Sequence, residues 1–188
     1  MYGRKRKYNS ADEDSDSVVE LVNGNHILFF GDVTNGTFAK LRAILLRLEK
    51  PKKVYLHINS HGGDAYAGVG MFDVIRNLEY PTVSIIEGVC HSAATLISLA
   101  CDESYMTKHS SIMIHQLWNS FQGTLEQHRV DLYNSALLTD RYIQIYKART
   151  RMSQAQIKKE LQEDTEMNIQ EACKFGFVRG EWPVPVDA

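Results

Sequence analysis

The sequence predicts an α/β fold of stacked βαβ units, with a mostly parallel sheet covered by helices and one helix long enough to project from the body. Three observations carry this. Short β-branched or aromatic runs recur along the first two thirds of the chain, each stopping at a polar or glycine-containing turn. Between them, apolar residues return at the three- and four-residue spacing of a helical face. Residues 124–150 contain neither proline nor glycine, which is long for a globular helix.

The elements follow in order. Residues 26–30 (HILFF) form an apolar run ended by Gly31-Asp32, after which Phe38, Leu41, Leu45 and Leu48 mark one helical face. Residues 54–58 (VYLHI) stop at Asn59-Ser60-His61-Gly62-Gly63. Met71, Phe72, Val74, Ile75 and Leu78 then predict a second helix that ends before Pro81. Residues 82–86 (TVSII) are the third strand, 92–100 the third helix, and 110–114 (SSIMI) a further strand leading straight to His115. Helical crossovers of this length imply parallel pairing. The last third is helical. Ser153 with Gln156 and Asn168 with Glu171 have capping-box spacing, which starts helices near 153 and 168; Gly176 stops the second, and 164–167 link the two.

At 188 residues with 44% apolar content the chain has the size and composition of one globular domain. The 21 basic and 23 acidic residues nearly cancel, so no general charge excess points to nucleic acid. Three cysteines without CxxC spacing argue against a disulfide framework or a thiolate zinc site and fit a reducing compartment; they are expected to be small buried hydrophobes. The most apolar stretch, 85–100, is interrupted by Glu87 and His91 and is too short to span a membrane. The organisation expected is a mobile charged arm over 1–17, a domain over 18–180 and a short tail over 181–188, which ends as a strand or an extended arm. In the arm, Arg4, Lys5, Arg6 and Lys7 are balanced by Asp12, Glu13, Asp14 and Asp16.

In open α/β sheets, functional groups gather at the carboxyl ends of strands. Three segments lie there. Gly62-Gly63 can turn tightly and offer N–H groups to an anion, although a plain strand-to-helix turn would need the same residues. Ser92 falls at a helix start, where the free N–H groups favour negative charge, and where a serine is also a good N-cap. His115 closes an apolar strand, a place that a satisfied core histidine also occupies. Together they are the parts of acyl transfer: a nucleophile, a general base and an oxyanion hole. A serine hydroxyl needs a base to take its proton, and the imidazole needs a carboxylate to fix its tautomer.

On these residues the chain resembles the ClpP family of self-compartmentalising serine peptidases, phage-borne and other viral members included. Asn59-Ser60-His61-Gly62-Gly63 resembles the family's INSPGG, residues 88–93 its G-x-A-A-S-x segment, and Met113-Ile114-His115-Gln116 its MIHQ. The resemblance runs from about residue 26 to 178. It implies the ClpP/crotonase-like fold, with Ser92 as nucleophile, His115 as base, and the N–H groups of Gly63 and Ala93 as oxyanion hole. Alignment of TRMSQAQI at 150–157 and of Glu171-Ala172 with Gly176 to the family's motifs, both without gaps, places Asp164 at the triad acid. A rival frame over DTEMN would put Asn168 there instead and cripple the triad, but it needs a deletion inside a capped turn.

The resemblance further implies hydrolysis of unfolded polypeptides inside two stacked heptameric rings, with the helix from Thr124 and the preceding residues 118–123 as the handle between them. It also implies a Clp-type AAA+ unfoldase as feeding partner, a cytoplasmic location (host cytoplasm for a viral member), and no metal or organic cofactor. Neither nucleic acid nor membrane is an expected partner. Departures from the family pattern are His61 in place of proline, His91 in place of alanine, and Leu117-Trp118 after HQ. The arm also lacks the usual apolar pore loop. His91 could tune the nucleophile, or with His61 and His115 make an inhibitory metal site, though no carboxylate or thiolate joins them in sequence. The competing readings are a prohead-maturation protease of a phage, a catalytically silent ring subunit, and a crotonase-like acyl-CoA enzyme.

Overall fold

A computed structural model describes residues 17–49 and 51–183; most of the charged arm predicted over 1–17 and the tail end 184–188 lie outside the described residues. The described residues open with a hairpin of β1 (Val18–Val22) and β2 (His26–Phe30), turned by Asn23 and Gly24 with φ of 51° and 78°. There follow α1 (Asn35–Arg47), β3 (Val54–Ser60), α2 (Ala65–Arg76), β4 (Thr82–His91), α3 (Ala94–Ala100), β5 (Glu103–Met106) and β6 (Ser111–Met113). The last third holds α4 (Leu125–Arg149), α5 (Gln154–Gln162), β7 (Glu166–Met167) and α6 (Ile169–Phe175). The predicted βαβ alternation is therefore the fold: an α/β architecture with a mostly parallel sheet.

The sheet order is β1-β2-β3-β4-β6-β7, with β5 also on β4. Among the described residues, only β1 with β2 and β6 with β7 run antiparallel. Val54, Leu56 and Ile58 are fully buried while Tyr55 and His57 between them are not, so β3 has one packed and one more open face, whereas the first half of β4 is buried on both. β4 continues five residues past its predicted end. Its first half pairs with β5 and its second with β6, and the change occurs at Gly88, whose φ of 101° suits glycine. A side chain there would meet the Asn59 amide, which instead accepts from the Val89 N–H at 3.2 Å.

The helices pack on the buried face. Thr34 and Thr37 form a capping box at α1, and the Asp64 carboxylate caps α2 by accepting from the Ala67 N–H at 2.8 Å. All seven residues of α3 are buried. Its last carbonyls cannot reach water, and two guanidinium groups meet them: Arg149 donates to Leu99 O and Cys101 O, and Arg76 to Ala100 O. The long helix α4 is capped by Thr124 and spans about 37 Å at 1.5 Å per residue. Its carboxyl half is packed through Leu138, Tyr142, Ile143 and Tyr146, whereas Leu125, Val130, Leu132, Tyr133 and Leu137 in its amino half are exposed. Serine 153 and Asn168 cap α5 and α6, and Gly176 ends α6 in the left-handed conformation, as the spacing predicts. The 164–167 linker contains the short strand β7, and the predicted third helix begins at Ala94, two residues late.

Candidate active site

Strand β4 delivers Cys90 to the core and His91 to the opposite face, and the chain then breaks sharply at Ser92. Ser92 has a φ of 55°, left-handed backbone that a residue with a side chain seldom adopts. The turn is held from both sides. Its N–H donates to Met113 O at 2.8 Å, and its carbonyl accepts from the Thr95 N–H at 3.0 Å and the Thr95 hydroxyl at 2.6 Å. The N-cap position of α3 falls to Ala93, so capping is not what Ser92 is used for. Its hydroxyl lies 2.8 Å from Nε2 of His115.

His115 reaches that position because β6 leads directly into it. The Ile114 N–H donates to Thr165 O at 3.0 Å, which fastens the chain just before His115 to the segment that follows α5. On the other flank, the glycine pair is pinned to Val33, whose N–H donates to Gly62 O at 2.8 Å while its carbonyl accepts from the Asp64 N–H at 2.7 Å. Gly62 and Gly63 have φ of 96° and 143°. The N–H of Gly62 is taken by Ser60 Oγ at 3.1 Å. Among the described residues, the N–H groups of Gly63 and Ala93 donate to no acceptor.

Asp164 stands differently. It occupies the α5–β7 turn at a φ of 51°, its side chain is exposed, and among the described residues no hydrogen bond joins it to His115. Its neighbour Thr165 is tied down, donating through its N–H to Glu160 O at 3.2 Å and through its hydroxyl to Glu160 Oε2 at 2.7 Å. The rival candidate Asn168 is otherwise engaged. Its side-chain oxygen accepts from the N–H groups of Gln170 and Glu171, and the Glu171 carboxylate closes the capping box on its own N–H. The fold thus brings Ser92 and His115 together, leaves two free N–H groups beside the Ser92 turn, and places Asp164 next to Thr165, whose carbonyl holds the residue before His115.

The neighbouring histidines form their own arrangement. His91 is 8% exposed, its Nε2 lies 2.9 Å from the Ser111 hydroxyl and 4.0 Å from Glu166 Oε1, and the His61 ring meets it edge-on at 5.5 Å. Burial pushes its pKa below the ordinary value; Glu166 pulls it back up, while His61 and His115 add to the lowering. Among the described residues, no three His, Cys, Asp or Glu side chains are arranged to hold a metal ion. Glu166 and Ser111 carry no linear signal. They join the site only through the sheet register, in which His91 opposes Met113 and Met113 opposes Glu166.

Beside His115 lies a cavity of about 410 Å³ lined by Leu117, Ala136, Tyr142, Ile143 and Leu161 and rimmed by Asp140 and Lys158. An apolar side chain fits such a lining. A second cavity of about 310 Å³, lined by Arg149, Arg151 and Arg179, is lined by none of the site's residues. Cys90 and Cys101 are buried as expected, whereas Cys173 on α6 is only partly so. Burial pushes the Cys90 thiol far up and the Cys101 thiol up to about 12, so both are inert at neutral pH.

Among the described residues, no helix is long and apolar enough to cross a membrane. Sequence comparison agrees with the geometry. The pattern of the Clp protease family matches residues 9–180. The chain is 30% identical over 158 residues to the ATP-dependent Clp protease proteolytic subunit 1 of Prochlorococcus marinus subsp. pastoris, covering 81% of each chain. It is 28% identical over 162 residues to the ATP-dependent Clp protease proteolytic subunit of Deinococcus radiodurans, covering 82% of this chain and 78% of that one. With the ATP-dependent Clp protease proteolytic subunit 2 of Treponema denticola it shares 25% identity over 179 residues, 93% of this chain and 90% of that one.

Proposed function

Because the chain belongs to the Clp protease family, we propose that it is a serine endopeptidase in which Ser92 is the nucleophile, His115 the general base and Asp164 the orienting acid. The observation that carries this is the 2.8 Å contact between the Ser92 hydroxyl and His115 Nε2. In the first step Ser92 Oγ attacks the scissile carbonyl carbon and its proton passes to Nε2. The carbonyl oxygen becomes an oxyanion, to which the free N–H groups of Gly63 and Ala93 donate hydrogen bonds. Collapse of this intermediate breaks the C–N bond, and His115 gives its proton to the leaving amine. An ester on Ser92 remains. Water then attacks that ester, with Nε2 taking its proton, and a second collapse returns the hydroxyl and releases the acid product.

Substrate is an extended, unfolded segment that pairs as an added strand beside Gly62-Gly63, a mode that reads backbone more than side chains. The arm over 1–17, the domain over 18–180 and the tail over 181–188 are the proposed organisation. The exposed apolar residues in the amino half of α4 support assembly, and stacked heptameric rings with that helix between them are the proposed particle. A Clp-type unfoldase would deliver substrate, with the cytoplasm as the site of action. The exposed Asp164 favours one second reading, a silent ring subunit whose triad never closes.

A serine-directed fluorophosphonate tests both. Labelling at Ser92, together with peptide hydrolysis that Ser92→Ala abolishes, is the expected result. Assembled protein that takes no label and cleaves no peptide would leave the silent subunit standing.

A further inference from the structure

We propose that His91 is a positioning residue for the Ser92–His115 pair, acting through the hydrogen bond between its Nε2 and the Ser111 hydroxyl. The inference rests on the serine-peptidase reading above and concerns how that site is held. Strand β6 has three residues, yet it must carry His115 two residues beyond its end. Its main-chain ladder to β4 covers three register pairs, and that to β7 covers two. A ladder this short fixes few dihedrals, so a side-chain tie across it weighs heavily on where the next residues point.

His91 provides that tie. It opposes Met113 in the register, and its ring reaches back along the same face to Ser111, so the β4 end that carries Ser92 is fastened to the opposite end of β6. The Ser92 N–H to Met113 O bond closes the near end. Between the two, the strand can neither slide nor splay without breaking a hydrogen bond at a residue that is 8% exposed, where a lost partner is costly. The Ser92 hydroxyl bonds His115 and the His91 ring bonds Ser111, so His91 acts through strand position.

Burial keeps the tie neutral despite the one carboxylate beside the ring. Facing it are Glu166 from β7, His61 from the glycine loop and His115 from beyond β6. Burial outweighs the pull of Glu166, so at neutral pH the ring bonds Ser111 as an uncharged partner.

Assembled wild-type protein and the variants His91→Phe, His91→Gln and Ser111→Ala test this by steady-state peptide hydrolysis. Fluorophosphonate labelling of wild-type Ser92 serves as the check on the underlying reading. Phenylalanine keeps the ring and loses the bond, whereas the glutamine amide nitrogen sits near where Nε2 does. His91→Phe is expected to lose on the order of tenfold or more in kcat with KM within about twofold, since small misplacements of reacting groups cost this much. His91→Gln is expected to recover to within about threefold of wild type. Ser111→Ala removes the same bond from the other side and should reproduce the loss, even if His91→Phe fails to fold. Unchanged kcat in His91→Phe and Ser111→Ala overturns the proposal, as does an effect on KM alone, or an equal loss in Phe and Gln variants. A wild type that neither labels nor hydrolyses overturns the parent reading, and this one with it.

Discussion

Gly62 passes directly beneath Ser92, so close that a methyl group on Gly62 would sit 2.6 Å from the Ser92 Cβ and 2.7 Å from His91 O. Both residues are left-handed, with φ of 96° and 55°, and each strained turn blocks the other from relaxing. Gly62→Ala must displace the Ser92 turn, because the atoms it meets are a Cβ and backbone. It is expected to fold with reduced stability and to lose kcat by on the order of a hundredfold, read by peptide hydrolysis alongside thermal melting.

Asp164→Asn checks the acid. An amide cannot hold the imidazole in the tautomer that leaves Nε2 free, and kcat should fall by on the order of 10⁴-fold with KM little changed. Asn168→Asp, which keeps a capping side chain, should leave kcat within about threefold. Equal activity of Asp164→Asn and wild type would show that another acid serves His115.

Assembly should be visible at α4. Leu132 and Tyr133 are 60% and 65% exposed on the unpacked half of that helix. Replacing both with glutamate introduces charge where a partner's apolar face would lie, and sedimentation velocity should show the particle shifting to smaller species. Loss of peptidase activity in step with assembly would mean that the Asp164 turn closes only in the particle.

Inside the body, the Tyr146 hydroxyl lies 2.8 Å from the Thr95 hydroxyl, with both side chains buried; Thr95 also donates to the Ser92 carbonyl. Tyr146→Phe should cost about 1 kcal/mol in urea denaturation, because Thr95 keeps its other bond. Tyr146→Ala should cost about 3–5 kcal/mol through the cavity it opens.

Acid should weaken the fold in a defined window. His26 is held below its ordinary pKa by burial and then by His57, whose Nε2 lies 2.8 Å from His26 Nδ1; His91 is lowered as well. Below about pH 6.5 the unfolded chain binds protons on these imidazoles that the folded chain does not, so stability falls as pH falls. Melting temperature should decline between about pH 7 and pH 5, and His26→Gln with His91→Gln should flatten that slope.

The strands and helices most legible in the sequence were those with a full apolar face. The runs at 26–30, 54–58 and 82–86 mark β2, β3 and the first half of β4, and the capping residues Ser153 and Asn168 place α5 and α6 to the residue. Strand β1 escaped because it is half-exposed, although Asn23-Gly24 between two β-branched or aromatic runs is a hairpin signal. β5 and β7, with four and two residues, are too short for any periodicity and exist only by pairing. In the site, the residue types and the order of Ser92 and His115 were readable, but the left-handed turn at Ser92, the exposure of Asp164 and the approach of Glu166 to His91 are products of register and loop closure. No linear pattern encodes them.

The two-residue alternation that turns His91 to the other face of β4 also seals the sulfur of Cys90, two positions before Ser92, inside the protein. An electrophilic inhibitor reaching this stretch of chain therefore meets oxygen and imidazole but no thiolate. An acyl or phosphonyl group retained on the Ser92 hydroxyl should be cleavable as an ester, which gives warhead chemistry here a selectivity against cysteine-seeking reagents that a mere count of nearby nucleophiles would not suggest.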